Sequence, residues 1–295
     1  MQTAKMPRMQ TSGPDAFLCT LNDPGQARLF ALTEQAVEPA PAHFLQWYCG
    51  SQLLGSISPE RANWLAQHLA SCRFEPNSLV WEAESATREQ LSEQLQNALL
   101  QARAQGLLPG WRNERFSFWH ADCSTPDPDV PALLDVERSG FRFLGMLSHA
   151  VHVNGFLPDG RLWCARRALT KATDPGMLDN VTAGGLPSGE SIQDCLQREL
   201  AEEAGLFSLQ GHTLQAAWQV RTSRLEREGW HDEILHVFNL TLQDGFVPRN
   251  QDGEVAEFMC LRPVEVLART EAGAFTVDAV QTLVQGLRAH SAHVV

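Results

Sequence analysis

The residues best suited to chemistry lie between Gly184 and Leu206, GGLPSGESIQDCLQRELAEEAGL, where Glu190, Arg198, Glu199, Glu202 and Glu203 stand at fixed intervals. In a helix, Glu199, Glu202 and Glu203 fall at i, i+3 and i+4 and project from one face. Ile192, Leu196 and Leu200 occupy the adjoining face, so the acids sit at the edge of a core rather than on its solvated side. Carboxylates this close repel one another, and they lie near the helix C-terminus, where the macrodipole favours cations. A hard divalent cation, Mg²⁺ or Mn²⁺, offsets both penalties through oxygen ligands. This spacing suits a carboxylate cluster that holds a divalent metal. Arg198, four residues before Glu202, is placed to orient carboxylates rather than to touch substrate, and Glu190 at the helix mouth pairs with it. The glycines at 184, 185 and 189 permit tight turns and a backbone carbonyl directed at the metal.

The elements that must position these groups are legible around them. Ser191 caps the helix with Asp194 three residues on, and Gly205 supplies a left-handed stop. Before it, two strands over residues 149–157 and 161–166 flank Pro158-Asp159-Gly160 as a hairpin. After it, QAAWQVRTSR and EILHVFNLTL form another strand pair, residues 257–261 a short strand and residues 278–289 a closing helix. The pattern is α/β, a mixed-sheet α/β/α sandwich, over residues 139–295. A smaller α+β domain is expected over residues 26–138, with a short helix near residues 26–35, strands in HFLQWYCG and QLLGSI, and helices opened by Ser58-Pro59 and by Thr87. Residues 1–25 read as a flexible tail, and CSTPDPDVPALL, Cys123–Leu134, as an inter-domain linker or long surface loop.

Bulk properties narrow the partners. A formal net charge of -12 over 295 residues leaves no basic excess to release counterions from nucleic acid, but does not exclude a small phosphate neutralised by metal and local cations. No apolar run is long enough to cross a bilayer, and the N-terminus has no apolar core of the secretory type. The seven cysteines are scattered and never paired as C-x-x-C, which points to a reducing cytoplasm rather than a disulfide framework or zinc site. His231 and His236 lack metal-type spacing and read as loop or strand residues. Trp47, Trp111, Trp119, Trp218 and Trp230 are of a type that stacks on an aromatic base, though tryptophan is more often core.

The run from Gly184 to Leu206 matches a Nudix box at every fixed position, and the chain resembles the Nudix hydrolases. Its flanks, Asp174-Pro175-Gly176-Met177-Leu178-Asp179-Asn180 before the box and residues 246–258 after it, resemble the thiamine-diphosphate-related subgroup. In fungi that subgroup is sometimes fused to thiamine pyrophosphokinase. The resemblance implies cleavage of a diphosphate linkage, including that of damaged thiamine diphosphate, to the monophosphate. It also implies metal held by Glu199, Glu202 and Glu203 with a carbonyl near Gly184. By the same analogy a carboxylate outside the box completes the site or acts as base. Glu254 is the choice and Glu257 the reserve, while Arg167 and Lys171 are placed to meet the diphosphate. The resemblance admits a homodimer. The rival readings are an isopentenyl-diphosphate-isomerase-like enzyme, which uses a cysteine where this chain has Val181-Thr182-Ala183, and a Nudix domain kept as a non-catalytic ligand-binding module.

Overall fold

The computed structural model describes residues 13–32 and 37–293. Its largest sheet sets Thr213–Glu226, Gly229–Thr241, Ser148–Phe156, Leu162–Arg167 and Val255–Leu261 side by side, with Thr182–Gly185 paired to Ser148–Phe156 and Leu178–Asp179 to Leu162–Arg167. Ser148–Phe156 is buried along its whole length although Val151-His152-Val153-Asn154 alternate, because the polar side is covered too, with His152 Nδ1 paired to Asn180 and Asn154 to Asn239. The Asp159-Gly160 turn joins it to Leu162–Arg167 with Gly160 at φ 86°. These two strands pair only at Gly155–Trp163 and Phe156–Leu162. Beyond that they part, and the short strands Thr182–Gly185 and Leu178–Asp179 enter the gap. That split in the sheet makes room for a site.

The helix Ile192–Ala204 covers one face, packing Cys195, Leu196, Leu200 and Ala204 on Val151, Val153, Phe238 and Leu240. Helices Pro263–Glu271 and Val277–His293 cover the other, with Val266, Leu283, Val284 and Leu287 against Phe156, Leu162 and Cys164. This is the α/β/α sandwich that the sequence pattern implies. A buried amide network ties the layers: Asn180 Nδ2 donates to Asn154 Oδ1 at 2.8 Å, Asn154 Nδ2 to Asn239 Oδ1 at 3.0 Å, and Thr282 Oγ1 to Asn180 Oδ1 at 2.9 Å. Each of these groups would be costly to bury unpaired, so the network fixes where the chain turns into Thr182–Gly185.

The first unit is the smaller α+β body expected. Its sheet runs Gln52–Ile57, Leu45–Cys49, Ser78–Trp81, Cys72–Glu75 beneath helices Pro59–His68 and Arg88–Ala104. Ser58 caps the first helix, and Thr87 with Gln90 forms a capping box on the second.

Three boundaries differ from the sequence reading. Pro14–Thr20 and Asp23–Ala31 are helices, not tail, because Phe17, Leu21 and Leu29 are buried in the core of the second unit, where Phe17 meets Phe156 edge-on at 5.8 Å. The short helix expected near residues 26–35 thus begins earlier, and its last residues, like residues 1–12, lie outside those described. Cys123–Leu134 takes the second of its two expected forms, a long loop rather than a linker: apart from Leu134, which opens the second strand, it lies between the paired strands Arg115–Phe118 and Leu134–Glu137. The core of the first unit continues through Phe141, Phe143 and Leu144 to Leu147, and Ile234 from the large sheet joins it. A division at residue 138 would cut that core.

Candidate active site

The box helix forms as its residues dictate. Ser191 and Asp194 make a reciprocal capping box, and Gly205 ends the helix at φ 66°. Glu199 and Glu203 turn inward and are buried, while Glu202 stays half-exposed. Glu203 Oε2 accepts from Thr182 Oγ1 at 2.8 Å and from the Ala183 amide at 2.9 Å, so the strand in the split sheet holds one of its two oxygens. Gly184 explains itself here. A Cβ at that position would lie 1.9 Å from Glu199 Oε1, so only glycine lets the Glu199 carboxylate settle against the strand.

Arg198 gathers the outer acids. It donates to Glu190 Oε1 at 2.9 Å, to Glu199 Oε1 at 2.6 Å and to Glu202 Oε2 at 3.2 Å. Burial works against its charge, but Glu190 and Glu199 hold its pKa above the ordinary arginine value. The pairing of Glu190 with Arg198 is the one expected from the spacing.

Across from the helix, Glu254 brings a carboxylate oxygen within 4.8 Å of oxygens from Glu203 and Asp252. Lys171 Nζ donates to Glu254 Oε2, and Arg112 Nη1 stands 3.7 Å from Glu254 Oε1. Burial pushes the Glu254 carboxyl up, but the Lys171 contact and charge, with Arg112 and Arg138, bring it below the usual carboxylate range. Glu203 behaves oppositely. Burial, reinforced by Glu199, drives it up to about 8. Glu199 is raised too, chiefly by burial. Two inward carboxyls that resist ionisation beside a third that favours it form a set whose charge is incomplete without a cation. The donors brought together, Glu203, Asp252 and Glu254, are all oxygen, and Glu199 lies cradled against Gly184 beside them, so the residues fit a hard divalent ion such as Mg²⁺ or Mn²⁺.

Most of the residues named from sequence converge here, with qualifications. Lys171 faces Glu254. Arg167 lines the same small cavity as Glu203, Glu254, Asp179 and Lys171, but it donates to Asp179 Oδ2 at 2.8 Å and twice to the Thr173 carbonyl, so much of its capacity is spent on framework. Glu257 is not brought in; it is exposed and paired with Arg166 at 2.5 Å. His231 and His236 are buried on Gly229–Thr241. Trp47 and Trp230 are core, and Trp218 is exposed. Asp252 was passed over although it stands two residues from Glu254. Arg112 carried no signal, since it comes from the other unit and only folding brings it near.

Residues 148–282 match the NUDIX domain family, and the chain belongs to that family. It is 36% identical over 164 residues to "Nudix hydrolase 24, chloroplastic" of Arabidopsis thaliana, a match covering 55% of this chain and 43% of that protein. The chain therefore spans less than half the length of that relative. An isopentenyl-diphosphate Delta-isomerase of Nocardia farcinica is 30% identical over 133 residues, covering 43% of this chain and 71% of that protein. Among solved structures, DR0079 from Deinococcus radiodurans is similar with a TM-score of 0.44 and 20% identity, covering 58% of this chain and 98% of that one. Among the described residues, no helix is long and apolar enough to cross a membrane.

Proposed function

We propose that this protein hydrolyses the diphosphate linkage of a small organic diphosphate with a divalent metal as cofactor, and that its substrates are of the thiamine diphosphate class, released as the monophosphate. The observation that carries the reaction is the convergence of Glu203, Asp252 and Glu254 within 4.8 Å beside Lys171. What supports the substrate is the likeness of residues 174–180 and 246–258 to the thiamine-linked subgroup.

In this reading Glu199, Glu202 and Glu203, with the Gly184 carbonyl, hold the metal. The bound ion supplies charge neutralisation at phosphorus and lowers the pKa of water. Thr182 and Ala183 fix one oxygen of Glu203 and leave the other for ligation. Arg198 keeps Glu199 and Glu202 in register. Glu254, kept ionised by Lys171, takes the proton of the attacking water. Lys171 and Arg112, with the remaining donors of Arg167, meet the diphosphate oxygens.

A second reading, isomerase chemistry on an isopentenyl diphosphate, draws on the Nocardia farcinica relative. Against it stand the intact box and Val181-Thr182-Ala183 where that chemistry uses a cysteine.

The test is formation of phosphate or phosphomonoester products with Mg²⁺ from thiamine, nucleoside, sugar and coenzyme diphosphates, with Glu203→Gln as control. Thiamine diphosphates should lead the panel, and Glu203→Gln should lower kcat by about 10²-fold or more. Full activity in Glu203→Gln would sink the metal assignment. A nucleoside or sugar diphosphate leading the panel would overturn the substrate.

A further inference from the structure

Arg167 and Lys171 line the small cavity at Glu203 and also a second, larger one of about 900 Å³ counting its open mouth. The larger cavity is built from both units. Leu108, Arg112, Phe116 and Phe141 come from the first, and Lys171, Thr173, His231 and Glu233 from the second. Its position next to the carboxylate cluster makes it the space for whatever the diphosphate carries.

The charges around it are unevenly paired. Asp232 is held by Arg221 at 2.7 Å, Glu226 by Arg142 and Arg224 at 2.7 Å each, and Asp278 by Arg224 at 2.7 Å. Glu228 and Glu233, which also line the cavity, have no lysine or arginine at ion-pair distance among the described residues. Of the two, Glu233 is held in place: Ser148 Oγ donates to its Oε1 at 2.8 Å, and His231 Nε2 stands 3.7 Å from its Oε2. Arg142 Nη2 donates to His231 Nδ1 at 2.9 Å, which leaves the proton of the neutral ring on Nε2 and directs it toward Glu233 and Asp278. A ring in that tautomer offers no lone pair at Nε2, so the cluster of His231, Glu233 and Asp278 is not a metal site.

A deep carboxyl without a cation stays neutral or takes a cationic partner from the ligand. Burial, reinforced by Asp278, holds Glu233 above the usual carboxylate range against Arg142, the Ser148 hydrogen bond and His152, so its ionised form gains from a further cationic partner. Leu108, Phe116, Phe141 and Met146 make the apolar part of the wall, beside Arg138, which stands 5.3 Å over the Phe116 ring, and Arg142; that apolar part suits a flat ring better than a compact hydrated ammonium.

We propose that Glu233 recognises the organic end of the substrate, and that this end is a cationic or protonatable nitrogen heterocycle whose N–H or positive charge meets the Glu233 carboxylate while Arg112 and Lys171 take the diphosphate. The assignment rests on the diphosphate reading above and adds to it the residue that selects what the diphosphate carries.

Calorimetric titration of the full chain without added metal, so that nothing is turned over, tests it with thiamine diphosphate and with isopentenyl diphosphate, which has no nitrogen base. The wild type should bind thiamine diphosphate about tenfold or more tighter. Glu233→Gln should weaken that ligand alone and bring the two affinities within about twofold. Ser148→Ala, which keeps the carboxylate but removes its 2.8 Å hydrogen bond, should give a smaller loss of the same selectivity, and it serves where Glu233→Gln does not fold. Equal wild-type affinities, or a loss shared by both ligands in either variant, overturns the role of Glu233. Hydrolysis assayed separately with Mg²⁺ keeps the two readings apart. Selective binding without turnover removes the enzymatic reading and leaves Glu233, whereas turnover without selectivity removes Glu233 and leaves the enzyme.

Discussion

Thr182 Oγ1 donates to Glu203 Oε2 at 2.8 Å and also reaches the Glu199 carbonyl at 3.1 Å, so one buried hydroxyl joins the split sheet to both inward acids of the box helix. Neutral donors hold Glu203 in place but do not neutralise it. Burial and the neighbouring Glu199 leave it with a pKa of about 8 in the folded chain, against an ordinary value of 4.5.

That difference fixes how stability varies with pH when metal is absent. A carboxyl raised on folding binds its proton more tightly in the native state, so its contribution is present below about 4.5 and is lost as pH rises toward about 8. In EDTA the wild-type Tm should fall across that window by several degrees, a loss on the order of a few kcal/mol. Glu203→Gln should flatten the fall, and Mg²⁺ should restore Tm at the alkaline end in the wild type but far less in the variant. A wild-type Tm in EDTA that is level across the window contradicts this account.

Gly184→Ala tests the cradle directly. The new methyl would stand 1.9 Å from Glu199 Oε1 and 2.0 Å from its Cδ, so the carboxylate must move. The chain should still fold, with a stability loss of about 1–3 kcal/mol from overpacking. Its kcat should fall by about tenfold or more, and half-saturation should need more Mg²⁺. A kcat within about twofold of wild type would place Glu199 outside the metal shell.

How much of this the sequence carries depends on the range of the contact involved. The box helix, its Ser191–Asp194 cap, its Gly205 stop and the Glu190–Arg198 pair are contacts within one short segment, so spacing alone implied them. Phe17 is not legible for the opposite reason: its partner Phe156 is far along the chain, and the composition around it is that of a tail. Arg112 and Glu233 were invisible because each gains meaning from the other unit or a neighbouring strand. Glu257 shows the limit of spacing within a strand. It lies close to Glu254 in sequence, yet strand pairing sets it beside Arg166 and away from the box.

His149 and His236 give a pH effect of the opposite sign. Their rings approach to 3.3 Å in a buried pair. Burial lowers His149 to about 3, with help from His236, and burial lowers His236 to about 4. For a base depressed on folding, the unfolded chain takes up protons first, so stability is lost as pH falls from about 6.5 toward those values. Chemical denaturation should show a loss on the order of several kcal/mol over that range, and His236→Gln should reduce it. An unchanged pH slope in the variant would mean that the pair does not set acid stability.

Lys171→Met and Arg112→Ala together test the base: Lys171 lowers Glu199 and Glu203 as well as Glu254, whereas Arg112 acts on Glu254. In the wild type, burial alone would raise Glu254, and it is Lys171, followed by Arg112 and Arg138, that brings it below the ordinary value. Removing the lysine leaves burial poorly opposed, so the Glu254 pKa rises. If ionised Glu254 accepts the proton of the attacking water, the acid limb of kcat/KM moves to higher pH by about one unit. Arg112→Ala should move it in the same direction by less, since Arg112 stands 3.7 Å from Glu254 and is half-exposed. Both variants should also raise KM, because both cations face the diphosphate. A raised KM with an acid limb fixed at the wild-type pH would keep Lys171 and Arg112 as binding residues and remove Glu254 from proton transfer, leaving Asp252, which shares its cluster, as the carboxylate to test next.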